Sequence, residues 1–213
     1  MSSSHRDTLP QLRKQPQQAR SKALVDAVAD ACERVLINEG EQALTIERIA
    51  EVSGASVGSI YQYFPNKDAM VAAVYARILD EESAKLITFH QQYRSLQLHE
   101  LLRLVIGNVI RVEQRLFQLH RAFHLRYHSQ LHLGMWQGEH KSAMAFIEAT
   151  WLPLLQLYPD QVHTADPKLA AYLLGKGLRG MIRSVLEDIP EQLDSPALLD
   201  ALVAMAMGCL GSD

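Results

Sequence analysis

An all-helical fold is predicted for this 213-residue chain by three features of its sequence. No segment sustains the alternation of apolar and polar residues that a half-buried strand needs, whereas apolar residues recur at helical spacing almost throughout. Asp166-Pro167 and Ser195-Pro196 each pair an N-cap residue with a proline whose fixed φ suits the first helical position. Between Thr45 and Lys67, two short helices are joined by a tight turn, the helix-turn-helix pattern. The expected architecture is an N-terminal three-helix head followed by a larger helical domain.

Taken in order, residues 1–17 read as a disordered basic arm, residues 18–65 as the head and residues 66–213 as the second domain. The stretch 1–22 carries Arg6, Arg13, Lys14, Arg20 and Lys22 against one acid, Asp7, and is rich in Ser, Gln and Pro. Such a tail suits a solvated arm, or one that follows a phosphate backbone. The first helix is expected from about Gln18 to Asn38, with Val25, Val28, Ala29, Cys32, Val35 and Leu36 as its apolar stripe. Thr45 is an N-cap type, and Ile46, Ile49 and Ala50 follow on one face. Gly54 stops that helix, because glycine enters a left-handed turn without steric cost. Ser56 is a second N-cap, and about seven helical residues fit before Pro65. Asn66 caps a long helix reaching about Tyr93. Leu98–Val112 and Gln114–Tyr127 read as two further helical segments. Gly134 and Gly138 flank a loosely structured stretch, and Glu139–Leu157 reads as a helix kinked at Pro153. Pro167–Glu187 and Pro196–Leu210 complete the set.

The second short helix of the head is unlike a core helix. Only Ile60 and Phe64, four apart, look buried. Val57, Gly58, Ser59, Tyr61 and Gln62 are small or able to hydrogen-bond. Glycine in a first turn costs about 1 kcal/mol against alanine. That cost makes sense where another backbone must come close, as in a DNA major groove.

The segment resembles the DNA-binding domain of the tetracycline-repressor (TetR) family. That family's pattern runs from a threonine through an Ile-Ala pair, a Gly-Val-Ser-like turn and a glycine to Leu-Tyr-x-His-Phe and a lysine. Here the corresponding residues are Thr45, Ile49-Ala50, Gly54-Ala55-Ser56, Gly58, Ile60-Tyr61-Gln62-Tyr63-Phe64 and Lys67. The resemblance covers about Gln18 to Tyr75. Tyr63 stands where histidine is usual and Ala55 where valine is usual; both keep the shape. The resemblance implies that Thr45, Ser56, Tyr61, Tyr63 and Lys67 hold phosphates. Val57, Ser59 and Gln62 are the candidates for reading bases, with Glu47 a weaker one.

Composition narrows the remaining classes. With 48% hydrophobic residues the chain can build a core, and its net charge of −3 is not that of a protein that is basic overall. Cys32 and Cys209 lie far apart and form no disulfide or metal-knuckle spacing, which suits a reducing cytoplasm. No apolar run reaches the ~18 residues of a membrane span. Neither a nucleotide-binding glycine loop nor a nucleophile elbow is present, so no enzyme is expected. A helical metal-dependent hydrolase built on the histidines is the one enzymatic form worth naming.

His120, His124, His128 and His132 stand four apart, with His140 beyond. A row at i+4 drifts about 40° per step around a helix, so all four cannot converge on one ion; neither metal nor cofactor is expected. Aromatic residues cluster in the same region, and an ordinary core explains most of them. The resemblance implies a small-molecule pocket in this half, for which Phe123, His124, Tyr127 and Trp136 are the candidate wall. It also implies a homodimer through the last two helices, for which Gly175, Leu178, Ile182, Val203 and Met207 are the candidate interface. The expected function is a ligand-responsive repressor released from a palindromic double-stranded operator by a small-molecule effector. A ligand-independent architectural or division-control protein would share every motif of the head.

Overall fold

The computed structural model describes residues 8–92, 95–131 and 143–211, and among these the regular structure is helical throughout, with no strand. Helix α1 (Ala19–Glu39) buries Val25, Val28, Ala29, Cys32, Val35 and Leu36, the stripe its spacing requires. Burial, with Glu33 alongside, lifts the Cys32 thiol to about 12, so this cysteine is a small apolar side chain and not a nucleophile. The helix ends at Gly40, whose φ of 83° lies in the region that favours glycine.

Helix α2 (Ile46–Ser53) begins where expected: the Thr45 hydroxyl oxygen accepts the Arg48 N–H at 3.1 Å. A cap of this kind is worth about 1 kcal/mol. Gly54 closes it in the left-handed conformation, at φ 71°. Ser56 then caps α3 (Val57–Tyr61) by accepting the Ser59 N–H at 3.1 Å. Helix α3 has five residues and is shorter than expected. Its last turn tightens instead of extending, since the Tyr63 and Phe64 N–H groups both donate to the Ile60 carbonyl. Asn66 accepts the Ala69 N–H at 2.9 Å and so starts α4 (Lys67–Gln92).

The next region departs from expectation. Leu98–Leu119 is one helix, α5, running past the expected break near residue 113. The chain breaks at His120, whose backbone is extended (φ −157°, ψ 90°), and α6 covers Arg121–Tyr127. His120 makes this break by acting as a cap: its Nδ1 accepts the Phe123 N–H at 3.3 Å. A histidine is a poor sequence signal for a cap, which is why the break was misplaced. A 3₁₀ turn over His128–Gln130 follows. The stretch around Gly134 and Gly138, including Trp136, His132 and His140, lies outside the described residues.

The described residues divide into two compact units, 8–78 with 116–131 and 79–115 with 143–211. The first therefore extends well beyond the head expected to end at residue 65. Within it the Arg77 guanidinium of α4 pairs with Asp30 and Glu33 of α1. The buried Tyr75 hydroxyl donates to the Leu116 carbonyl and lies 3.1 Å from that of His120. Residues 8–17, expected as a disordered arm, have defined positions here: Leu9 is buried, and the Arg13 N–H donates to the Tyr63 carbonyl at 2.8 Å.

In the second unit, α7 (Ala143–Gln156) contains Pro153 and packs against a long helical run beginning at Pro167. That run is α8 (Pro167–Tyr172), a π-turn over Leu173–Gly177 and α9 (Leu178–Asp188). Asp166 caps it, accepting the Lys168 and Leu169 N–H groups. Ser195 likewise caps α10 (Pro196–Cys209). Both Pro-marked starts fall where the sequence places them. Gly175, Leu178, Ile182 and Val203 are buried within the single chain, and Met207 is half-buried. A Cβ at Gly175 would lie 2.9 Å from Ile147 Cγ1 and 3.2 Å from Trp151 Cδ1, so that glycine serves close packing of α7 on the π-turn. A buried ion pair joins Arg179 Nε to Glu113 at 2.6 Å. No helix among the described residues is long and apolar enough to cross a membrane.

Candidate nucleic-acid interface

Helices α2 and α3 position the interface by burying one side each. Ile49 of α2, and Ile60 with Phe64 around α3, are essentially inaccessible and anchor the pair to the core of the unit. Burying three such side chains contributes several kcal/mol at about 25 cal/mol per Å². It leaves the opposite side of α3 in solvent. Val57, Gly58, Tyr61 and Gln62 are exposed, with Val57 37% and Tyr61 43% accessible. Thr45, Ser56 and Lys67 are also exposed, whereas Ser59 and Tyr63 are half-covered.

Gly58 is informative about what α3 faces. A Cβ built there would meet nothing within 4 Å. The chain's own packing therefore does not call for glycine at this position. Gly175 marks the contrast, since there the chain itself occupies the space a Cβ would need.

The capping hydroxyls have a second capacity. The oxygens of Thr45 and Ser56 accept backbone N–H groups of their own helices. Ser56 and Ser59 hydroxyls also lie 2.8 Å apart, either able to donate to the other. A threonine hydroxyl both donates and accepts, so the Thr45 hydroxyl that caps α2 as an acceptor keeps a proton to donate. Arg48 of α2, by contrast, is committed within the head. It chelates Glu39 at 2.8 Å and Glu51 at 2.6 Å, and these bonds raise its pKa and lower that of Glu39. Glu47, the weaker reading candidate, is exposed on the first turn of α2.

Two residues near this surface, Arg13 and Lys14, belong to the tail expected either to be solvated or to follow a phosphate backbone. Arg13 is exposed while its backbone is fixed to Tyr63, and the Lys14 ammonium lies 4.8 Å above the Tyr63 ring centroid. The basic pair was visible in the sequence, but no periodicity marks a segment that docks without secondary structure. The only signal was apolar Leu9 and Leu12 inside a polar tail.

The candidate pocket residues come together in the same unit. Phe123, His124 and Tyr127 are all buried. Phe123 meets Tyr75 edge-on at 4.9 Å and Tyr127 at 4.7 Å, and His124 stands 5.2 Å from His128. Trp136 lies outside the described residues. The histidine series does not run along one helix: His120 caps α6, His124 is inside it and His128 sits in the 3₁₀ turn after it.

His120 links α6 to the head. Its Nδ1 is 3.4 Å from Glu41, whose carboxylate also accepts the Arg121 N–H. Burial lowers the His120 pKa, outweighing the opposing pull of Glu41 and Asp68, with Lys67 adding to the lowering. The ring is therefore neutral at pH 7, and the Glu41 contact is not an ion pair there. Because the folded protein resists protonating His120, stability is full above the ordinary pKa of ~6.5 and falls as the pH drops through and below it. Thermal melts from pH 7.5 to 5.5 should show this loss, and His120→Asn, a cap that does not titrate, should flatten it. An unchanged profile in that variant would remove His120 from the account.

Comparison with known proteins agrees with this geometry. A family model described as bacterial regulatory proteins, tetR family, matches residues 28–74, which run from the middle of α1 into α4. The transcriptional regulator RutR of Escherichia coli K12 is 33% identical over 78 residues, 37% of this chain and 35% of RutR, so the match spans about a third of RutR's length. Among solved structures, a Mesorhizobium loti protein assigned to the TetR-family transcriptional regulators superposes with a TM-score of 0.61 at 20% identity. That match covers 91% of this chain and 97% of the other. SmeT, the repressor of the Stenotrophomonas maltophilia multidrug efflux pump SmeDEF, superposes with a TM-score of 0.54 at 22% identity, covering 91% and 90%. SmeT in complex with triclosan gives a TM-score of 0.57 at 21% identity, covering 87% and 90%. The fold over nearly the whole chain is similar to that of these solved proteins, and residues 28–74 of its head match the model of the bacterial regulatory proteins, tetR family.

Proposed function

We propose that the protein is a dimeric, ligand-responsive transcriptional repressor that places α3 in the major groove of a near-palindromic operator. The observation that carries this reading is the outward side of α3, where Val57, Gly58, Tyr61 and Gln62 are exposed and Gly58 has open space before it. Thr45, Ser56, Tyr61, Tyr63 and Lys67 position the head on phosphates, and Val57, Ser59 and Gln62 read bases. Glutamine can pair with adenine and valine methyls suit a thymine methyl.

The dimer surface we assign differs in its residues from the one expected from sequence. On the run from Pro167 to Asp188, Leu169, Tyr172 and Leu173 are 53%, 39% and 48% accessible, and Met205 on α10 is 55% accessible. Gly177, Gly180 and Gly208 have nothing within 4 Å of a built Cβ. Exposed apolar side chains beside small residues suit close approach of helices from a second copy. A two-fold dimer presents its reading helices to half-sites about 34–36 Å apart, or a multiple of a turn.

Effector binding is supported by the buried aromatic cluster of Phe123, His124 and Tyr127, and by SmeT, which was solved with triclosan. To release DNA, an effector must bind the DNA-incompetent state more tightly.

Fluorescence anisotropy on genomic fragments at several salt concentrations tests the reading. Binding should be confined to near-palindromic sites and should fall steeply with salt. Lys67→Ala should lower the log–log salt slope by about 0.9 per bound protomer and weaken all sequences alike. Gln62→Ala should change preference at one base pair per half-site by roughly 1–3 kcal/mol. Affinity flat with salt on every fragment would refute the proposal.

A further inference from the structure

The segment before α1 is the strongest unexplained feature of the first unit. From Thr8 to Val25 the chain carries Arg13, Lys14, Arg20 and Lys22 with no acidic residue, in a protein whose net charge is −3. Its course is fixed at two points. Leu9 is buried, and its N–H donates to the Gln130 side-chain oxygen at 2.8 Å. Four residues on, the Arg13 N–H donates to the Tyr63 carbonyl, and the Lys14 ammonium sits over the Tyr63 ring.

Tyr63 follows Gln62 directly, at the end of the turn that carries α3. The second anchor thus fixes the Arg13 backbone and the Lys14 ammonium at the residue that ends the turn after α3. Both side chains are exposed, and neither has a carboxylate partner among the described residues. An ammonium resting on an aromatic face remains hydrated on its outer side and keeps its charge available to a second partner. Holding it there removes part of the ordering cost that a free tail would meet on binding. A cluster of cations without internal counter-charges, held in place at the edge of a nucleic-acid surface, matches a phosphate backbone more closely than any neutral ligand.

We propose that residues 9–14 form a docked arm that extends the DNA interface, with Arg13 and Lys14 contacting phosphates and Tyr63 acting as their positioning residue. The proposal rests on the DNA-binding reading above. It assigns the arm to the backbone and not to base edges, because a lysine on a ring offers a point charge and no fixed pair of donors. Tyr63, a phosphate contact in the DNA-binding reading, also acts through the arm by holding Arg13 and Lys14 in place.

The test compares the full-length protein with Arg13→Gln/Lys14→Gln on one specific duplex and on variants of it with single base changes. Each lost phosphate contact lowers the log–log salt slope by about 0.9. The double variant should therefore lose about 1.8 per bound protomer, which is about 60-fold in affinity per protomer at 0.1 M salt relative to 1 M. Preference among the single-base duplexes should stay as in the parent, and Lys14→Arg should keep the parental slope. Both substituted side chains are exposed, and an unchanged thermal melt would confirm that the fold is intact. Parental binding that is specific, with an unchanged slope in the double variant, overturns the arm alone. A changed base preference with the slope retained would make the arm a base reader and also overturns it. Absence of specific binding by the parent would instead refute the DNA-binding reading itself.

Discussion

Glutamate at both Leu173 and Met205 should convert a dimer into a folded monomer and weaken operator binding by about 10²–10⁴-fold, the gain that linking two heads supplies. Both side chains are about half accessible in the single chain, so neither substitution opens a core. Burying two carboxylates in a helix–helix contact without partners is costly, and in a two-fold interface each change occurs twice. Sedimentation velocity should show one slow species, with the helical circular dichroism signal retained. Binding to an isolated half-site should be nearly unaffected. Gly175→Ala serves as the contrast: its methyl would press on Ile147 within the same chain, so it should lower the melting temperature at either oligomeric state. A full-strength dimer in the double glutamate variant would place the interface on another surface.

This contrast shows how far the sequence could lead. The helix starts marked by Thr45, Ser56, Asn66, Asp166 and Ser195 all stand where their side chains cap backbone groups. Capping is local, and a local rule reads well from a local pattern. The α3 surface was legible for the same reason: the eight residues from Val57 to Phe64 contain two that had to be buried and several with no cause to be.

The last two helices were legible as elements but not as surfaces. Both are apolar on more than one side, so periodicity cannot say which side faces the chain and which faces outward. Gly175 looked like an interface residue because small residues favour close approach, yet the approaching partner is α7 of the same chain. The π-turn over Leu173–Gly177 adds a further reason. It shifts the phase of every later side chain in the run relative to a regular helix, and nothing in the sequence declares it. The break at His120 escaped for a similar reason, since the capping group is an imidazole whose role depends on burial and on its neutral state.

Gly58→Ala should separate folding from DNA binding. Alanine is favoured over glycine inside a helix by about 1 kcal/mol. A Cβ at this position meets nothing within 4 Å, so the chain gains that preference without a clash. The melting temperature should hold or rise slightly. Operator affinity should fall, because the methyl projects from the side of α3 that carries Val57, Tyr61 and Gln62, where the groove wall must come into contact. Overpacking of a close-fitting surface costs typically 1–3 kcal/mol, which is roughly 5- to 150-fold in affinity per half-site. The salt slope should change little, since no charge is lost, and this distinguishes the variant from Lys67→Ala. A variant that binds the operator as well as the parent would show that the open space before Gly58 is not filled by DNA, and the docking of α3 would have to be turned about its own axis.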